Sequence, residues 1–327
     1  MRVLFAALCL LLSSAVACAA ENQSAKTAGS GFYFDTYVTF TLYGADADLI
    51  SDLHQLCAHY ESLLSKTQVD SDVYRLNHAG GKPVTVDPET YALLQRAKEI
   101  SELTDHAFSV SIAPLSELWN FKTHTIPGDA QRIAALALVD DERIVLGQEH
   151  TVSLAPGMQI DLGGIAKGYI ADQAAALTRN RCTGAILNLG GNVYCTGSKP
   201  DGSAFKVGVE NPLCPDPVTP AVISITDGTV VTSGTYERYF EENGIRYHHI
   251  LDPQTGSPAQ TDLVSATIVS TCSMDADAFA TACIVLGSER SLELLTQLRL
   301  DAILITTEGD ILLTPGFKTR VDYQPAS

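Results

Sequence analysis

The chain has 327 residues, of which 46% are hydrophobic and 18% charged, and its formal net charge is −17. This composition is typical of a globular protein with a substantial core and argues against a disordered chain. It also argues against a nucleic-acid partner, because neutralising phosphates requires clustered lysine and arginine, and no run of them exceeds two residues.

The first residues carry the features of an export signal. Arg2 precedes a short apolar run over residues 3–12, which is too short for a comfortable membrane span, and small residues follow it. Two interpretations of the cleavage remain open. One is ordinary A-x-A cleavage near Ala17 or Ala19, and the other is a bacterial lipobox in which Cys18 becomes the lipidated first residue.

The chain therefore divides into three predicted parts. We predict a signal peptide over residues 1–17, a small and polar tether over residues 18–30, and one folded domain over residues 31–327. No later apolar stretch is long enough to span a membrane. We expect an exported protein on the periplasmic side of the bacterial inner membrane, in contact with the membrane through a lipid anchor at Cys18.

The cysteines after Cys18 leave their redox state open. An oxidising compartment would permit disulfides among them, but the absence of a CxxC pair argues against zinc and thioredoxin-like chemistry. Two of them fall on predicted apolar helix faces, where a buried thiol is the default. These two are Cys57 and Cys283, and the others are Cys182, Cys195, Cys214 and Cys272.

Hydrophobic periodicity predicts helices and strands that interleave irregularly along the chain. An alternating strand over residues 32–43 comes first. The predicted helices cover 46–65, 87–103, 129–138, the segment after Gly164, 273–286 and 289–299. The later strands cover 143–146, 151–154, 184–189, 193–197, 205–210, 221–226, 245–251, 263–270, 302–306 and 310–314. Because no regular strand–helix–strand rhythm is present, we predict an α+β fold in one compact domain, with a mixed, largely antiparallel sheet flanked by helices.

The most informative motif is DLGGIAKGYIAD, residues 161–172, which lies between an apolar run and a predicted helix. A Gly-Gly pair before a helix lets a ligand approach backbone amides, and the helix dipole favours negative charge there. Lys167 adds a positive charge, so the motif indicates a phosphate site with acidic residues nearby. The alternative is a surface turn whose glycines only supply positive φ. The spacing matches neither the Rossmann nor the Walker motif.

A second candidate feature is the pair Asp277 and Thr281 on the predicted helix over residues 273–286. Their i, i+4 spacing places both on one face, and their hard oxygens suit Mg²⁺. The alternative is an aspartate that only offsets the helix dipole. Asp275 is a further acid, although it points to a different face of the helix.

Two adjacent histidines, His248 and His249, end a predicted strand before an Asp-Pro turn. Because neighbouring side chains on a strand face opposite sides, at most one of them points into a cleft, where it would suit general-base catalysis. A structural histidine is the alternative. Together with small-residue turns predicted at residues 188–192 and 232–234, these features describe a site for a phosphate-bearing ligand with Mg²⁺.

The chain resembles the ApbE family, the Mg²⁺-dependent FAD:protein FMN transferases, from Phe34 to about Gly309. The matching blocks occur in the family's order: FDTYVTFTLYG, SLLSKTQVDSDVYRLN, AFSVSIAPLSELWNF, DLGGIAKGYIAD, ILNLGGNVYCTG, VVTSGTYERYF, YHHILDPQTGSP and DADAFATACIVLG. The resemblance implies transfer of FMN from FAD onto a threonine hydroxyl of an acceptor protein through a phosphoester bond, with release of AMP.

The resemblance also implies roles for individual residues. The FAD contacts would come from Asp161 and Lys167, and the Mg²⁺ ligands from the Gly164 carbonyl, Asp277 and Thr281. His249 would be the base that deprotonates the acceptor threonine. The residues implied to line the FAD pocket are Phe34, Ala107, Phe108, Ser109 and Leu251.

The chain departs from the family pattern at three places. Phe34-Asp35-Thr36 stands where members often have Met-Gly-Thr, and Ser109 stands where many carry aspartate. Asp275 is an additional acid near the implied metal and would displace or supplement a ligand. None of these departures removes a residue that the implied mechanism needs.

Three functions remain open at this point. The first is the flavin transferase, whose expected acceptors are exported domains of membrane-bound redox complexes that translocate sodium ions or protons. The second is a Mg²⁺-dependent FAD pyrophosphatase, which uses water as the acceptor and yields FMN and AMP. The third is a non-catalytic FAD-binding lipoprotein.

Overall fold

A computed structural model describes residues 25–213 and 221–325 of the chain. Nine α-helices and one short 3-10 helix (Asp141–Arg143) lie within these residues and alternate irregularly with the strands. The helices are α1 (Leu49–Leu64), α2 (Asp72–Asn77), α3 (Pro88–Leu103), α4 (Ala113–Ser116), α5 (Asp129–Leu136), α6 (Ala166–Thr178), α7 (Ser273–Leu286), α8 (Ser288–Leu298) and α9 (Phe317–Arg320).

The strands form one large sheet and three small ones. In chain order they are β1 (Lys26–Tyr33), β2 (Thr36–Tyr43), β3 (Val84–Thr85), β4 (Val145–Leu146), β5 (Thr151–Ser153), β6 (Gly184–Leu189), β7 (Asn192–Gly197), β8 (Phe205–Val209), β9 (Ala221–Ile225), β10 (Gly228–Gly234), β11 (Tyr239–Glu242), β12 (Ile245–His248), β13 (Leu263–Ser270), β14 (Asp301–Thr306), β15 (Ile311–Leu313) and β16 (Asp322–Pro325).

The large sheet has eight strands in the order β1-β2-β6-β7-β10-β13-β14-β15, and every neighbouring pair is antiparallel. The small sheets are β16-β9-β8, β3-β5-β4 and the hairpin β11-β12. The observed α+β architecture, with largely antiparallel sheets flanked by helices, confirms the predicted fold class.

Helices α6 and α7 form the centre of the main core. They pack against each other and against strands β6, β7, β10 and β13. Alternate positions of α7 are alanine over residues 276–282, and all four of these alanines are buried. A side chain that ends at Cβ lets neighbouring backbones approach closely, so the sequence of α7 favours tight contact with α6.

Local signals account for the elements that were predicted with correct bounds. Asp87 accepts a hydrogen bond from the backbone N–H of Glu89 at 2.8 Å, and Pro88 occupies the first helical position of α3, as the cap pattern predicts. The predicted bounds of α7, β6 and β13 agree with the structure.

The predicted strand over residues 32–43 is wrong in one respect, because it is two strands. Phe34 and Asp35 have φ values of 55° and 56° and reverse the chain between β1 and β2. Non-glycine residues rarely adopt this conformation. The turn contains no glycine, so nothing in the sequence marked it as a hairpin turn. Strand β1 begins at Lys26, inside the predicted tether, and the folded part of the chain therefore starts earlier than residue 31.

Two further predictions need correction. The turn predicted at residues 232–234 is the last part of strand β10, and the strand predicted over 245–251 ends at His248. The predicted elements did not include strands β3, β10, β11 and β16 or the short helices α2, α4 and α9. Apart from β10, which has seven residues and was expected to end in a turn, these elements have six residues or fewer, which is too short for periodicity to be distinctive.

The predictions for the chain start and for one cysteine concern residues outside the structure. Residues 1–17 and Cys18 precede the described part of the chain, and Cys214 falls in its gap. The cysteines of the described ranges are all free thiols, and both Cys57 and Cys283 are buried as predicted. No helix within the described ranges is long and apolar enough to cross a membrane.

Candidate active site

Three of the candidate segments meet at one end of the large sheet. The β1–β2 turn, the β6–β7 turn and the C-terminal end of β10 lie there, because antiparallel pairing brings them to the same end of neighbouring strands. A Cβ on Gly190 would lie 2.6 Å from Thr36 Cγ2, and one on Gly191 would lie 3.6 Å from the Thr232 carbonyl oxygen. Both glycines have positive φ, so they provide the tight turn and this close approach.

Helices α6 and α7 contact each other through Gly168 and Asp277. The Gly168 N–H donates to Asp277 Oδ2 at 2.9 Å. A Cβ on Gly168 would lie 2.8 Å from Asp277 Cβ and would collide with the Ser273 carbonyl. Asp277 is 3% exposed and lies beyond the first turn of α7. Since the dipole effect fades within that turn, it does not explain this buried carboxylate.

Thr281 and Gly164 complete this cluster. A Cβ on Gly164 would lie 3.7 Å from Thr281 Oγ1 and 3.2 Å from Phe108 Cε2. Thr281 Oγ1 also lies 3.3 Å from Ser233 Oγ on β10. The structure therefore brings Gly164, Asp277 and Thr281 together, and it adds Ser233, which the sequence analysis had placed in a turn.

The glycine pair of the 161–172 motif does not act through positive φ. Fourteen glycines within the described residues have positive φ, and neither Gly163 nor Gly164 is among them. The explanation of this glycine pair by positive φ is therefore wrong, although both glycines lie in a turn before α6. Instead, Gly163 donates its N–H to Asp161 Oδ1 at 2.9 Å, and Gly164 leaves space beside Phe108 and Thr281.

Lys167 lies in the first turn of α6 and adds a positive charge to the cluster. Its Nζ is 3.1 Å from the Gly163 carbonyl oxygen and 3.7 Å from Asp277 Oδ1. Within the described residues, Asp277 Oδ1 has no hydrogen-bond donor and only this longer ion pair. The site thus contains a carboxylate oxygen and a lysine nitrogen 3.7 Å apart, with the Thr281 hydroxyl one helical turn further along α7.

These donors fit a magnesium ion. A carboxylate from Asp277, a hydroxyl from Thr281 and a carbonyl from Gly164 are all hard oxygens, which Mg²⁺ prefers. The described residues hold no cluster of three or more His, Cys, Asp or Glu that could bind a metal. A site with one carboxylate leaves positions for water or for ligand phosphate oxygens, which is how Mg²⁺ is usually bound.

Asp161 forms an ion pair that the sequence analysis did not predict. Lys66 Nζ lies 2.7 Å from Asp161 Oδ2, across 95 residues of chain. Burial raises the pKa of Asp161, whereas Lys66 and the Gly163 N–H lower it. The lowering effects together are larger, so the pKa of Asp161 lies below its ordinary value. Lys66 belongs to one of the blocks that carry the family resemblance, which was the only signal for it in the sequence.

The two histidines have separate environments, although only His248 lies on strand β12. His248 is buried and its Nε2 bonds the Ala259 carbonyl at 2.8 Å, which indicates a structural role, while its Nδ1 has no partner within the described residues. The backbone N–H of His249 donates to the Arg238 carbonyl at 3.0 Å. The ring Nδ1 of His249 has no hydrogen-bond partner in the described part of the chain.

The surroundings of His249 keep its ring neutral. Burial lowers the pKa of His249 to about 3, and the positive charges of Arg238 and Lys167 act in the same direction. A neutral imidazole with an unoccupied ring nitrogen can accept a proton. The charge of Lys167, which lies 3.7 Å from Asp277 Oδ1, contributes to the lowered pKa of His249 and so links the ring electrostatically to this cluster.

The residues expected to line a flavin pocket have different surroundings. Ala107 and Phe108 are buried in the main core, and Phe108 lies beside Gly164. Phe34 donates its N–H to Glu61 Oε1 at 2.9 Å. Ser109 Oγ bonds Asp141 Oδ1 at 3.0 Å. Leu251 is buried in a separate small cluster, which contains Leu115, Trp119 and Ala135.

Asp275 is not part of the candidate metal site, which corrects the expectation that it would displace or supplement a ligand. Arg96 on α3 holds both of its carboxylate oxygens, through Nε at 2.9 Å and through one terminal nitrogen at 2.7 Å. As expected from helical geometry, this residue faces away from Asp277.

The sequence profile of the ApbE family matches residues 34–304. The chain belongs to the ApbE family. The chain is 40% identical to an FAD:protein FMN transferase of Klebsiella pneumoniae strain 342 over 291 residues, which cover 86% of this chain and 90% of the relative. It is 39% identical to the FAD:protein FMN transferase of Treponema pallidum strain Nichols over 292 residues, which cover 83% and 81%.

Solved structures of ApbE proteins share the fold. The crystal structure of the ApbE protein from Thermotoga maritima superposes with a TM-score of 0.83 at 30% sequence identity, and the match covers 90% of this chain and 99% of that one. The flavin transferase ApbE from Vibrio cholerae gives a TM-score of 0.82 at 26% identity, with the same coverage of 90% and 99%.

Proposed function

We propose that this protein transfers FMN from FAD to a threonine hydroxyl of an acceptor protein, with Mg²⁺ bound, and releases AMP. The observation that carries the proposal is the convergence of Lys167, Asp277, Thr281 and the neutral His249, in a chain whose named relatives are FAD:protein FMN transferases. If Lys167, Asp277 and Thr281 had no base such as His249 nearby, they would support FAD binding but not transfer.

The proposed reaction is one displacement at phosphorus. The threonine oxygen attacks the phosphorus attached to riboflavin, and a phosphoester bond forms. The bond to the bridging pyrophosphate oxygen breaks, and AMP leaves with that electron pair. His249 takes the threonine proton at its free ring nitrogen, which makes the hydroxyl a better nucleophile.

Electrostatics determine what the other residues contribute. Lys167, whose Nζ lies 3.7 Å from Asp277 Oδ1, would contact the pyrophosphate and stabilise the charge that develops on the leaving phosphate. Gly164, Asp277 and Thr281 would hold Mg²⁺, which when bound neutralises phosphate charge and orients the pyrophosphate. Asp161, ionised beside Lys66, is available to accept a hydrogen bond from a hydroxyl or N–H group of FAD.

The low pKa of His249 applies to the protein without bound FAD. The cations around the ring repel a proton, and burial does so as well. A bound pyrophosphate brings negative charge to Lys167 and opposes this effect. His249 therefore becomes a stronger base when FAD is bound than in its absence.

Export, anchoring and the acceptors are also proposals. The support for export is the apolar run before Cys18, and the support for lipidation is the position of Cys18 after small residues. The proposed acceptors are exported domains of membrane redox complexes. Mass spectrometry of the purified mature protein tests the anchor, because a diacylglyceryl group at Cys18 should be lost in Cys18→Ser.

The test of function compares FAD turnover with and without an acceptor protein. We expect an FMN-sized mass addition on one acceptor threonine, together with AMP in equal amount. Rapid AMP release without acceptor would indicate a pyrophosphatase instead. Stoichiometric FAD binding without turnover, with Mg²⁺ and acceptor present, would indicate a flavin-binding lipoprotein.

A further inference from the structure

Asp172 is the last residue of the 161–172 motif and has no role in the proposed reaction. It belongs to α6, but its carboxylate contacts the first residues of α7. Its Oδ1 accepts the Ser273 N–H at 2.8 Å, and its Oδ2 accepts the Met274 N–H at 2.8 Å. The thiol of Cys272 also lies 3.8 Å from Oδ2. These contacts join residues that are 101 and 102 positions apart.

This arrangement is a helix cap supplied by another helix. The first N–H groups of a helix have no intrahelical partner, and a side chain at the N-cap position usually accepts one. Cys272 occupies that position in α7 and makes no such bond. Asp172 of α6 accepts two of these N–H groups instead, so the start of α7 is bound to a fixed point on α6.

A second contact of the same kind lies one turn away. Gly168 and Asp172 are i, i+4 on α6, and Ser273 and Asp277 are i, i+4 on α7, so each pair lies on one helix face. The Gly168 N–H donates to Asp277 Oδ2 at 2.9 Å. The two helices are therefore joined by carboxylate–amide contacts at both ends of one turn, which fix how far α7 slides and rotates against α6.

We infer that Asp172 is a positioning residue for the proposed metal site, because it holds α7 where Asp277 and Thr281 face Gly164. The inference rests on the Mg²⁺ site of the proposed function. Mg²⁺ requires near-ideal octahedral geometry with ligand distances of about 2.0–2.1 Å. A slip of one residue along a helix is about 1.5 Å, with a rotation of about 100°. A small shift of α7 is thus enough to separate the donors.

The alternative is a cap that contributes only to stability. Asp275 provides the control, because it lies in the same first turn and makes two hydrogen bonds to Arg96 of α3. Asp275→Asn weakens an anchor of α7 without touching α6. If Asp172 acts through stability alone, then Asp172→Asn and Asp275→Asn should have the same effect on metal binding.

The experiment measures Mn²⁺ binding by electron paramagnetic resonance, with the protein saturated with FAD and no acceptor present. Asp172→Asn keeps the size of the side chain but replaces one accepting oxygen with an amide group that cannot accept an N–H. We expect its Kd for Mn²⁺ to rise at least tenfold, as is typical of residues that orient metal ligands. The Asp275→Asn variant should stay within twofold of the unmodified protein.

Further measurements make the result decisive. FAD affinity, measured by flavin fluorescence without metal, should stay within about threefold in Asp172→Asn. Unchanged Mn²⁺ affinity in a folded Asp172→Asn variant would overturn the inference. If that variant does not fold, Asp172→Glu retains both acceptors but lengthens the side chain, and unchanged affinity there would overturn it equally. Absence of Mn²⁺ binding to the unmodified protein would instead count against the metal site of the proposed function.

Discussion

Asp277 accepts the backbone N–H of Gly168 through one carboxylate oxygen at 2.9 Å, while its other oxygen lies 3.7 Å from Lys167 Nζ. One side chain therefore both fixes the contact between two helices and faces the candidate site. These two tasks can be separated by substitution, because asparagine keeps an oxygen for the amide and loses the charge.

The first prediction concerns Asp277→Asn and its matched control, Asp275→Asn. We expect Asp277→Asn to lower flavin transfer by about a hundredfold or more, since charge stabilisation at the phosphate is lost. Asp275 pairs with Arg96 away from the site, so its variant should retain transfer within about twofold. Mass spectrometry of the acceptor measures both. Equal losses in the two variants would contradict the assignment of Asp277.

The second prediction concerns the close approach of α6 to α7. Gly168→Ala places a Cβ against the Ser273 carbonyl, where backbone must move. We expect a loss of about 1–3 kcal/mol in the free energy of unfolding, as for other overpacked cores. In Gly128→Ala the new Cβ meets only Gln131 Oε1 at 3.6 Å, so the loss there should be about 1 kcal/mol or less. Urea unfolding measures both, and similar losses would argue against the packing role.

The third prediction is that His249→Gln loses transfer but keeps FAD binding. The ring has no role in holding α6 against α7, so the fold and the FAD contacts should remain. Single-turnover kinetics should show transfer lowered by about 100- to 10,000-fold, the usual range for a general base. Flavin fluorescence should show FAD affinity within about threefold. Transfer at an undiminished rate would remove His249 from the mechanism.

The fourth prediction is that the depressed pKa of His249 makes the stability of the fold depend on pH. Its folded-state pKa of about 3 lies below its ordinary value of 6.5, so the unfolded chain binds the proton first as pH falls. His249 therefore lowers stability progressively from about pH 6.5 towards 3, with a slope of at most about 1.4 kcal/mol per pH unit. Denaturant unfolding of His249→Gln should show a weaker acid sensitivity than the unmodified protein. Parallel pH profiles would contradict the burial of this ring.

The fifth prediction concerns the ion pair between Lys66 and Asp161. Lys66→Met removes the charge that holds the pKa of Asp161 low and leaves a partly buried carboxylate unpaired. We expect the KM for FAD to rise about tenfold and the free energy of unfolding to fall by about 1–3 kcal/mol. Arg290→Met, which breaks an exposed pair with Asp105, should change stability by about 1 kcal/mol or less.

The pH effect of this pair has the same sign as that of His249, because both folded-state pKa values are depressed, but it acts at lower pH. A depressed carboxylate pKa stabilises the fold at pH values above its ordinary value of 3.8, and that contribution disappears as pH falls through the folded-state pKa. The difference in stability between the unmodified protein and Lys66→Met should therefore shrink only at pH values below about 4. A difference that disappears near neutral pH would exclude Asp161 as its cause.

The local sequence determined the backbone of most elements. Asp87 and Pro88 define the start of α3, and the apolar run over residues 263–270 forms a strand between two others. These signals operate within a few residues, where capping, proline geometry and periodicity act directly on φ and ψ. The order of the sequence blocks likewise indicated the ApbE family, although not how the side chains of these blocks meet.

Only the tertiary structure decided which side chains meet. Nothing near Lys66 in the sequence indicates Asp161, and nothing near Asp172 indicates the start of α7. Helix spacing placed Asp275 on a different face from Asp277, but nothing near it in the sequence indicates its partner Arg96. Such pairs depend on how α6 and α7 pack on the large sheet. A contact between residues about a hundred positions apart is selected by the packing of whole elements, and no local pattern records it.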